Sequence, residues 1–341
     1  MLSIELVNVC KSFGDKNIIK GINLRVEEGE LVSLLGPSGC GKSTTLKIIS
    51  GLLDPEEGDI LLNGESVLRV PAEKRGAVIV FQEHLLFPHM TVAENIGFGL
   101  RMARVSKNDR LNAVKEMIDL MQLNGLEDKY PNEISGGQSQ RAALARALAT
   151  KPKVLLLDEP FSSLDQRLRE SMREFVYEIQ RKLGITTILV THDKEEALMM
   201  SDKIAVMFDG SIVQFGTPEE VYNRSKTIEV ADFFGDNNYI EGTVENNMFK
   251  CSLGEFHINC CGSGKVMAMI RPEKIKVSPI GEGKGLKGII NKKRYAGDRV
   301  YYSIQTGSTC IKSIGNAEYL FDIGDEVVID LDFSNATIYL D

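Results

Sequence analysis

The sequence predicts an α/β protein followed by a smaller all-β domain, and three observations carry that reading. Lys153–Leu157 and Thr186–Val190 are continuous, largely apolar runs that end in polar or charged residues, as strands buried on both faces of a parallel sheet do. A third run, 31–35, passes through a glycine-bearing loop into a helix-forming segment. From residue 239 onward, short strand-like segments recur between Gly- and Asn-bearing turns, the pattern of a small barrel.

Strand-like segments lie at 4–7, 22–26, 31–35, 59–62 and 78–81, with a helix at 42–53, giving an α/β core with a leading antiparallel subdomain. Between 91 and 149 the period becomes helical. Thr91-x-x-Glu94 and Ser106-x-x-Asp109 are capping starts, and Val114, Met117, Ile118 and Met121 recur at helical spacing, a core stripe. The α/β pattern resumes to Phe234, with short strands at 204–208 and 212–215 around the turn Asp209-Gly210. Gly235-Asp236-Asn237-Asn238 breaks it, so the expected domains are 1–235 and 236–341. Strands of the second are expected at 239–244, 248–251, 265–271, 288–291, 299–304, 326–331 and 337–340.

A chain of 341 residues, 43% hydrophobic, has material for two or three domains with sizeable cores. No apolar run approaches the roughly 18 residues of a membrane helix, and the first residues do not read as a signal peptide, so a cytoplasmic location is expected. The six cysteines, Cys10, Cys40, Cys251, Cys260, Cys261 and Cys310, follow no scaffold spacing and are expected as free thiols. A net charge of −8 weighs against nucleic acid as the main partner.

Gly36-Pro-Ser38-Gly39-Cys40-Gly41-Lys42-Ser43-Thr44 fits Gly-x4-Gly-Lys-Ser/Thr. Its glycines let successive backbone N–H groups close around the β- and γ-phosphates of a nucleotide, Lys42 adds a positive charge, and Ser43 offers an Mg²⁺ ligand. The expected fold class is a P-loop NTPase core with antiparallel β and helical subdomains plus a C-terminal all-β barrel domain; that the core is RecA-like and the barrel of the oligomer-binding (OB) type is what the family resemblance given next implies. By itself the loop equally admits kinases, GTPases and motors.

Ile134-Ser135-Gly136-Gly137-Gln138 narrows the choice. Ser135-x-x-Gln138 is an ordinary capping box, yet two adjacent glycines at a helix start leave bare donors at the positive end of a dipole, suited to an outside anion. The segment resembles the Leu-Ser-Gly-Gly-Gln signature of ATP-binding cassette (ABC) ATPases, with Ile134 in place of Leu. Further motifs match that family in order. Asp158 and Glu159 after the strand imply a carboxylate that holds Mg²⁺ through water and one that polarises the attacking water. Ser162-Ser-Leu-Asp165 resembles the loop that crosses between protomers, His192 the switch histidine, and Gln82 the glutamine that bonds Mg²⁺ or the lytic water. Phe13 lies where the family places a ring against adenine; core packing is the alternative. Ile270-Arg-Pro-Glu273 and Arg294-Tyr-Ala-Gly-Asp298 resemble the C-terminal TOBE domain of binding-protein-dependent importers.

The resemblance implies an importer ATPase like those for polyamines, ferric iron, sulfate, molybdate, phosphonates or sugars, with polyamines or inorganic ions favoured here. It implies ATP and Mg²⁺ as cofactors and a head-to-tail homodimer in which Ser135, Gly136, Gly137, Gln138 and Asp165 complete the partner's site. Integral membrane permease subunits are implied as partners, with an extracytoplasmic solute-binding protein met indirectly, and a place at the cytoplasmic face of the cell membrane. Residues 82–89, with Leu86 and Phe87, are expected to bury themselves against the permease rather than in this protein's core. Two rival readings stand beside it: a nucleic-acid ATPase using Lys287, Lys292, Lys293, Arg294 and Arg299 among Tyr295, Tyr301 and Tyr302, and a metal- or redox-sensing ATPase using Cys251, His257, Cys260 and Cys261.

Overall fold

The computed structural model describes residues 2–82, 86–259, 263–282, 285–316 and 321–340, so Cys260 and Cys261, and Glu83 to Leu85 of the expected permease-facing loop, lie outside the described residues. The chain divides into two units, Met1–Val221 and Tyr222–Asp341.

In the first unit, Leu31–Leu35, Val154–Asp158 and Thr186–Thr191 are buried along their whole length. Residues buried on both faces need apolar side chains at every position, which is why these runs read as continuous rather than alternating. They lie in a six-stranded sheet ordered Ser211–Gly216, Lys203–Phe208, Leu31–Leu35, Thr186–Thr191, Val154–Asp158 and Ala77–Val80. All neighbours run parallel except the antiparallel edge pair Ser211–Gly216 and Lys203–Phe208. A four-stranded antiparallel sheet, Lys16–Glu27, Leu2–Phe13, Glu57–Leu62 and Glu65–Ser66, forms the leading subdomain. Its first two strands are longer than their apolar cores suggest, because a register shift between Leu6 and Val9, with Asn8 at φ 49°, lets pairing continue past an irregularity.

The helix expected to reach residue 53 ends at Ser50. Gly51 turns left-handed at φ 82°, and the Arg75 guanidinium donates to the carbonyls of Ile48 and Ile49, satisfying acceptors the helix end leaves open. A Cβ on Gly51 would lie 2.6 Å from Arg75 Nε, so the same glycine also makes room for the cap.

Val92–Ile96, Phe98–Met102, Lys107–Leu120 and Gly136–Ala149 make the helical subdomain. Thr91 and Glu94 form the expected reciprocal cap. Val114, Ile118 and Met121 are buried in one apolar cluster with Ala142–Ala145 of Gly136–Ala149, so the stripe is core.

The second unit holds two five-stranded antiparallel sheets around one apolar core that includes Phe249, Tyr302 and Phe333. Their orders are Gly254–His257, Met248–Cys251, Asn238–Glu245, Gly264–Ile270, Thr337–Leu340 and Lys276–Pro279, Glu326–Asp330, Leu286–Tyr295, Arg299–Thr306, Thr309–Asn316. The boundary between the two units falls at Val221 rather than Gly235, and Arg271 supplies the reason. Only 3% exposed, it donates to the carbonyls of Tyr222 and Ala231 and to Asn237 Oδ1, and lies 4.2 Å from the Tyr222 ring. A buried guanidinium needs such acceptors, so residues 222–237 are tied to the strand end that carries it.

Candidate active site

Leu31–Leu35 delivers the chain into the loop 36–41 at the carboxyl end of the sheet, and Lys42–Ser50 leaves it. Two glycines are dictated by space and conformation. A Cβ on Gly36 would come within 2.1 Å of the Met207 carbonyl, and Gly41, the residue before the helix, sits at φ 106°. No side chain caps this helix and no acid lies in its first turn, so its leading N–H groups are free of a side-chain partner and open to an anion. Lys42 is buried, and its ammonium donates to the carbonyls of Gly36 and Pro37 at 2.8 Å each. Ser38 and Gly39 are exposed, Thr44 is half-buried, and burial pushes the Cys40 thiol up, an effect the Lys42 charge opposes.

Ser43 Oγ donates to Asp158 Oδ1 at 2.8 Å, joining the helix start to the end of Val154–Asp158. Burial raises the Asp158 carboxyl above its ordinary range; the Ser43 bond opposes that and the neighbouring Glu159 charge adds to it. Glu159 adopts φ 46°, a left-handed conformation costing a non-glycine residue about 1–3 kcal/mol. It is held by its N–H on the Val190 carbonyl and by Ser162 Oγ donating to its own carbonyl, both at 2.9 Å. The result points Glu159 Oε2 to 3.0 Å from Nδ1 of His192, which follows the adjacent strand Thr186–Thr191. Carboxylate, hydroxyl, imidazole and bare amides thus gather where parallel strands end, the usual ligand crevice of such sheets.

Other expected site residues stand apart from this group. Gln82 is exposed just beyond Ala77–Val80. Ser135 accepts from the Gln138 N–H, and Gln138 Oε1 accepts from the Ser135 N–H, so the capping box is real. Ser135 and Gly136 are exposed, whereas Gly137 is buried against Leu168, which a Cβ there would meet at 2.9 Å. Asp165 caps Gln166–Leu183 through Leu168 N–H. Phe13 is 52% exposed with Lys11 Nζ 5.6 Å from its ring centre, so core packing does not account for it. No hydrogen bond or ring contact among the described residues joins these to Ser43, Asp158, Glu159 or His192.

One expectation is corrected. Leu86 packs against this chain's own core, and Phe87 is half-buried, its ring 4.5 Å from that of Phe98 and beneath Arg146. The backbone there is held by Asn95, fully buried, which bonds the N–H and C=O of Phe87 and the carbonyls of Met90 and Thr91. Sequence reading passed over Asn95, although a lone amide inside an apolar helix start is a recognisable signal of such a staple. It also missed Gln140, whose buried amide donates to the Pro160 carbonyl at 2.7 Å, and the Arg173–Asp193 pair that anchors the turn after His192.

Cys10, Cys40, Cys251 and Cys310 are free, as expected for these four. Among the described residues no cluster of three or more His, Cys, Asp or Glu could hold a metal ion, and no helix is long and apolar enough to cross a membrane.

A phosphate-type loop with a buried lysine, a carboxylate bonded to the loop's serine, and a second carboxylate against a histidine define a P-loop nucleotide hydrolase. Residues 19–162 match the ABC transporter family and residues 268–338 the TOBE domain. The chain is 46% identical over 286 residues to the spermidine/putrescine import ATP-binding protein PotA of Spiroplasma citri, covering 82% of each. It is 44% identical over 284 residues to the Fe(3+) ions import ATP-binding protein FbpC of Pasteurella multocida, covering 82% and 81%. Among solved structures, the dimeric post-hydrolysis ATP-binding cassette MJ0796 bound to ADP and Pi matches with TM-score 0.57 and 32% identity over 63% of this chain and 98% of that one. The chain belongs to the ATP-binding cassette family of transporter ATPases, in the group of import ATP-binding subunits that carry a TOBE domain.

Proposed function

We propose that this chain hydrolyses ATP to drive uptake of a polyamine or of an inorganic ion such as ferric iron, the solute classes named for its relatives. The observation that carries the hydrolytic reading is the pair of contacts Ser43–Asp158 and Glu159–His192 at neighbouring strand ends. The loop amides of 36–44 and Lys42 bind the β- and γ-phosphates, Lys42 exchanging two carbonyl partners for phosphate oxygens. Phe13, exposed beside Lys11, offers its ring to the adenine.

Mg²⁺ fits the donors present: a hydroxyl and a carboxylate already within 2.8 Å are hard oxygen ligands of the kind that ion shares with nucleotide phosphates. Ser43 and Asp158 would hold it, with Gln82 reaching in from its loop, and it would neutralise charge building on the phosphates. Glu159 takes the proton of the attacking water, and His192 fixes the carboxylate's direction from 3.0 Å.

The signature faces outward and is completed by a second copy. Ser135 and Gly136 are exposed at the start of a 14-residue helix with no acid in its first turn, an arrangement that receives an anion from another molecule. Two copies head to tail would each close the other's site, with Asp165 at the seam. Residues 86–91, tied to the helical subdomain by Asn95, present Phe87, Pro88 and His89 to permease subunits at the cytoplasmic face of the membrane, with an extracytoplasmic binding protein beyond them.

The test is reconstitution with the membrane subunits that co-purify with it. ATP-dependent accumulation of labelled spermidine or ferric ion in vesicles, lost in Glu159→Gln, is expected. ATP hydrolysis with neither solute accumulating would reject the solute assignment, and no hydrolysis at all would reject the site.

A further inference from the structure

The helix Lys194–Met200 begins one residue after Asp193, and its third residue, Glu196, is 4% exposed. Glu196 Oε2 is hydrogen-bonded to Thr191 Oγ1. That hydroxyl accepts the Asp193 N–H at 2.9 Å, so its own proton points at Glu196. The Glu196 N–H in turn donates to Asp193 Oδ1 at 3.3 Å, while Asp193 Oδ2 is paired with Arg173 Nη2. Thr191, Asp193 and Glu196 are therefore hydrogen-bonded across the turn that carries His192, whose side chain points to Glu159.

Behind that turn lies a cavity of about 50 Å³ lined by Glu159, Phe161, Ser162, Arg169, Thr191, His192, Asp193 and Glu196. Glu196 Oε1 is buried and has no hydrogen-bond partner among the described residues, and neither has Arg169 Nε. A buried carboxylate with one orphan oxygen is costly, whereas a carboxylic acid there directs a proton into a space large enough for water.

We propose that Glu196 is a positioning residue for hydrolysis: it accepts the Thr191 hydroxyl in either form, but only as the neutral acid does it leave Arg173 to Asp193 and so keep the turn that sets His192 against Glu159, whereas on ionising it draws on Arg173 and loosens that turn. Ionised, Glu196 competes with Asp193 for Arg173, the contact on which the turn is anchored. The surrounding charges are mixed. Arg169 and Arg173 face it from Gln166–Leu183, Glu159 follows the strand Val154–Asp158, His192, Asp193, Lys194 and Glu195 belong to its own segment, and Leu31–Leu35 brings no ionisable side chain. Burial is the strongest influence and lifts the carboxyl to about 7, against the Thr191 bond and the Arg173 charge.

The inference rests on Glu159 and His192 acting in hydrolysis, so its test has two readouts on the full chain. Turnover at saturating ATP and Mg²⁺ is measured across about pH 6 to 8, and the His192 imidazole is followed by NMR without nucleotide, its signal assigned through His192→Asn. Wild type is expected to lose turnover severalfold as pH rises through about 7, with a matching shift of the His192 signal. Glu196→Gln keeps an acceptor for Thr191 without a charge, so it should retain the low-pH turnover at high pH and abolish the shift. Glu196→Ala should lower kcat about tenfold at every pH with little change in KM, the mark of misplacement rather than lost binding. A Glu196→Gln profile that falls like wild type, or that is depressed at all pH like Glu196→Ala, overturns the proposal. An unaltered kcat in Glu196→Ala does so as well. A His192 shift that behaves as stated in a chain without ATPase activity would leave the positioning role intact and reject the hydrolytic reading instead.

Discussion

Glu159 and His192 meet at 3.0 Å although they end different strands, because the Glu159 N–H is fastened to the carbonyl of Val190, two residues before the histidine. One backbone hydrogen bond between neighbouring strands therefore sets the spacing of the two side chains.

From this follows the behaviour of Glu159→Gln, which preserves shape but removes the proton acceptor. Turnover should fall by at least about 100-fold, the lower range for loss of a general base. ATP affinity should be unchanged by titration calorimetry, and a dimer should accumulate with ATP on size exclusion. Turnover at the wild-type rate would remove Glu159 from the base role.

Lys42→Ala removes a charge already bonded to two loop carbonyls. Loss of a charged hydrogen bond is worth about 1.5–3 kcal/mol, so ATP should bind roughly 10- to 100-fold more weakly. Calorimetry giving undiminished affinity would contradict the phosphate site.

Phe87→Ala now carries a stability cost as well as a coupling cost. The ring is half-buried against Phe98 and under Arg146, so about 1–2 kcal/mol should be lost in urea denaturation, less than the 3–5 of a fully buried Phe. Co-purification with the permease should weaken beyond that. Asn95→Ala, which strands the polar groups of the same loop, should cost more stability than Phe87→Ala; a smaller cost would show the loop is held otherwise.

Stability should depend on pH through Glu196. Its carboxyl is raised from 4.5 to about 7 in the fold, so the fold binds its proton more tightly than the unfolded chain. That contribution is fully present below 4.5 and is lost as pH rises through about 7. Glu196→Gln should flatten the fall in denaturation midpoint across this window; an identical fall would assign it to other groups.

Truncation should follow the contacts rather than the glycine break. A chain ending at Val221 should stay folded and bind ATP, whereas one ending at Gly235 keeps Tyr222, Phe233 and Phe234 without the Arg271 anchor and should be less soluble. Equal solubility of the two, in parallel expression trials, would place the boundary where the sequence break lies.

The phosphate loop, the acidic strand end and the fully buried strands were legible because each demands particular residue types at fixed spacing. Glu196 was not. Glu195 and Glu196 are adjacent and chemically alike, yet one is exposed and the other buried, and only the long-range approach of Arg173 and Thr191 distinguishes them. Strands Gly254–His257, Lys276–Pro279 and Thr309–Asn316 also escaped, being short or polar enough that their pairing is set by neighbours rather than by local pattern. The tie between 222–237 and Arg271 is equally non-local.

Gln140 gives the signature helix a mechanical office. Its buried amide grips the carbonyl of Pro160, the residue next to Glu159, while Ser135 and Gly136 stand exposed one turn away at the helix tip. The helix tip and the segment that carries Glu159 are thus mounted on a single stiff shaft. In the head-to-tail pair proposed above, a phosphate of the other copy's nucleotide meeting that tip would bear on Glu159 through this helix, and each nucleotide would then report its presence to the other without any ligand-to-ligand contact.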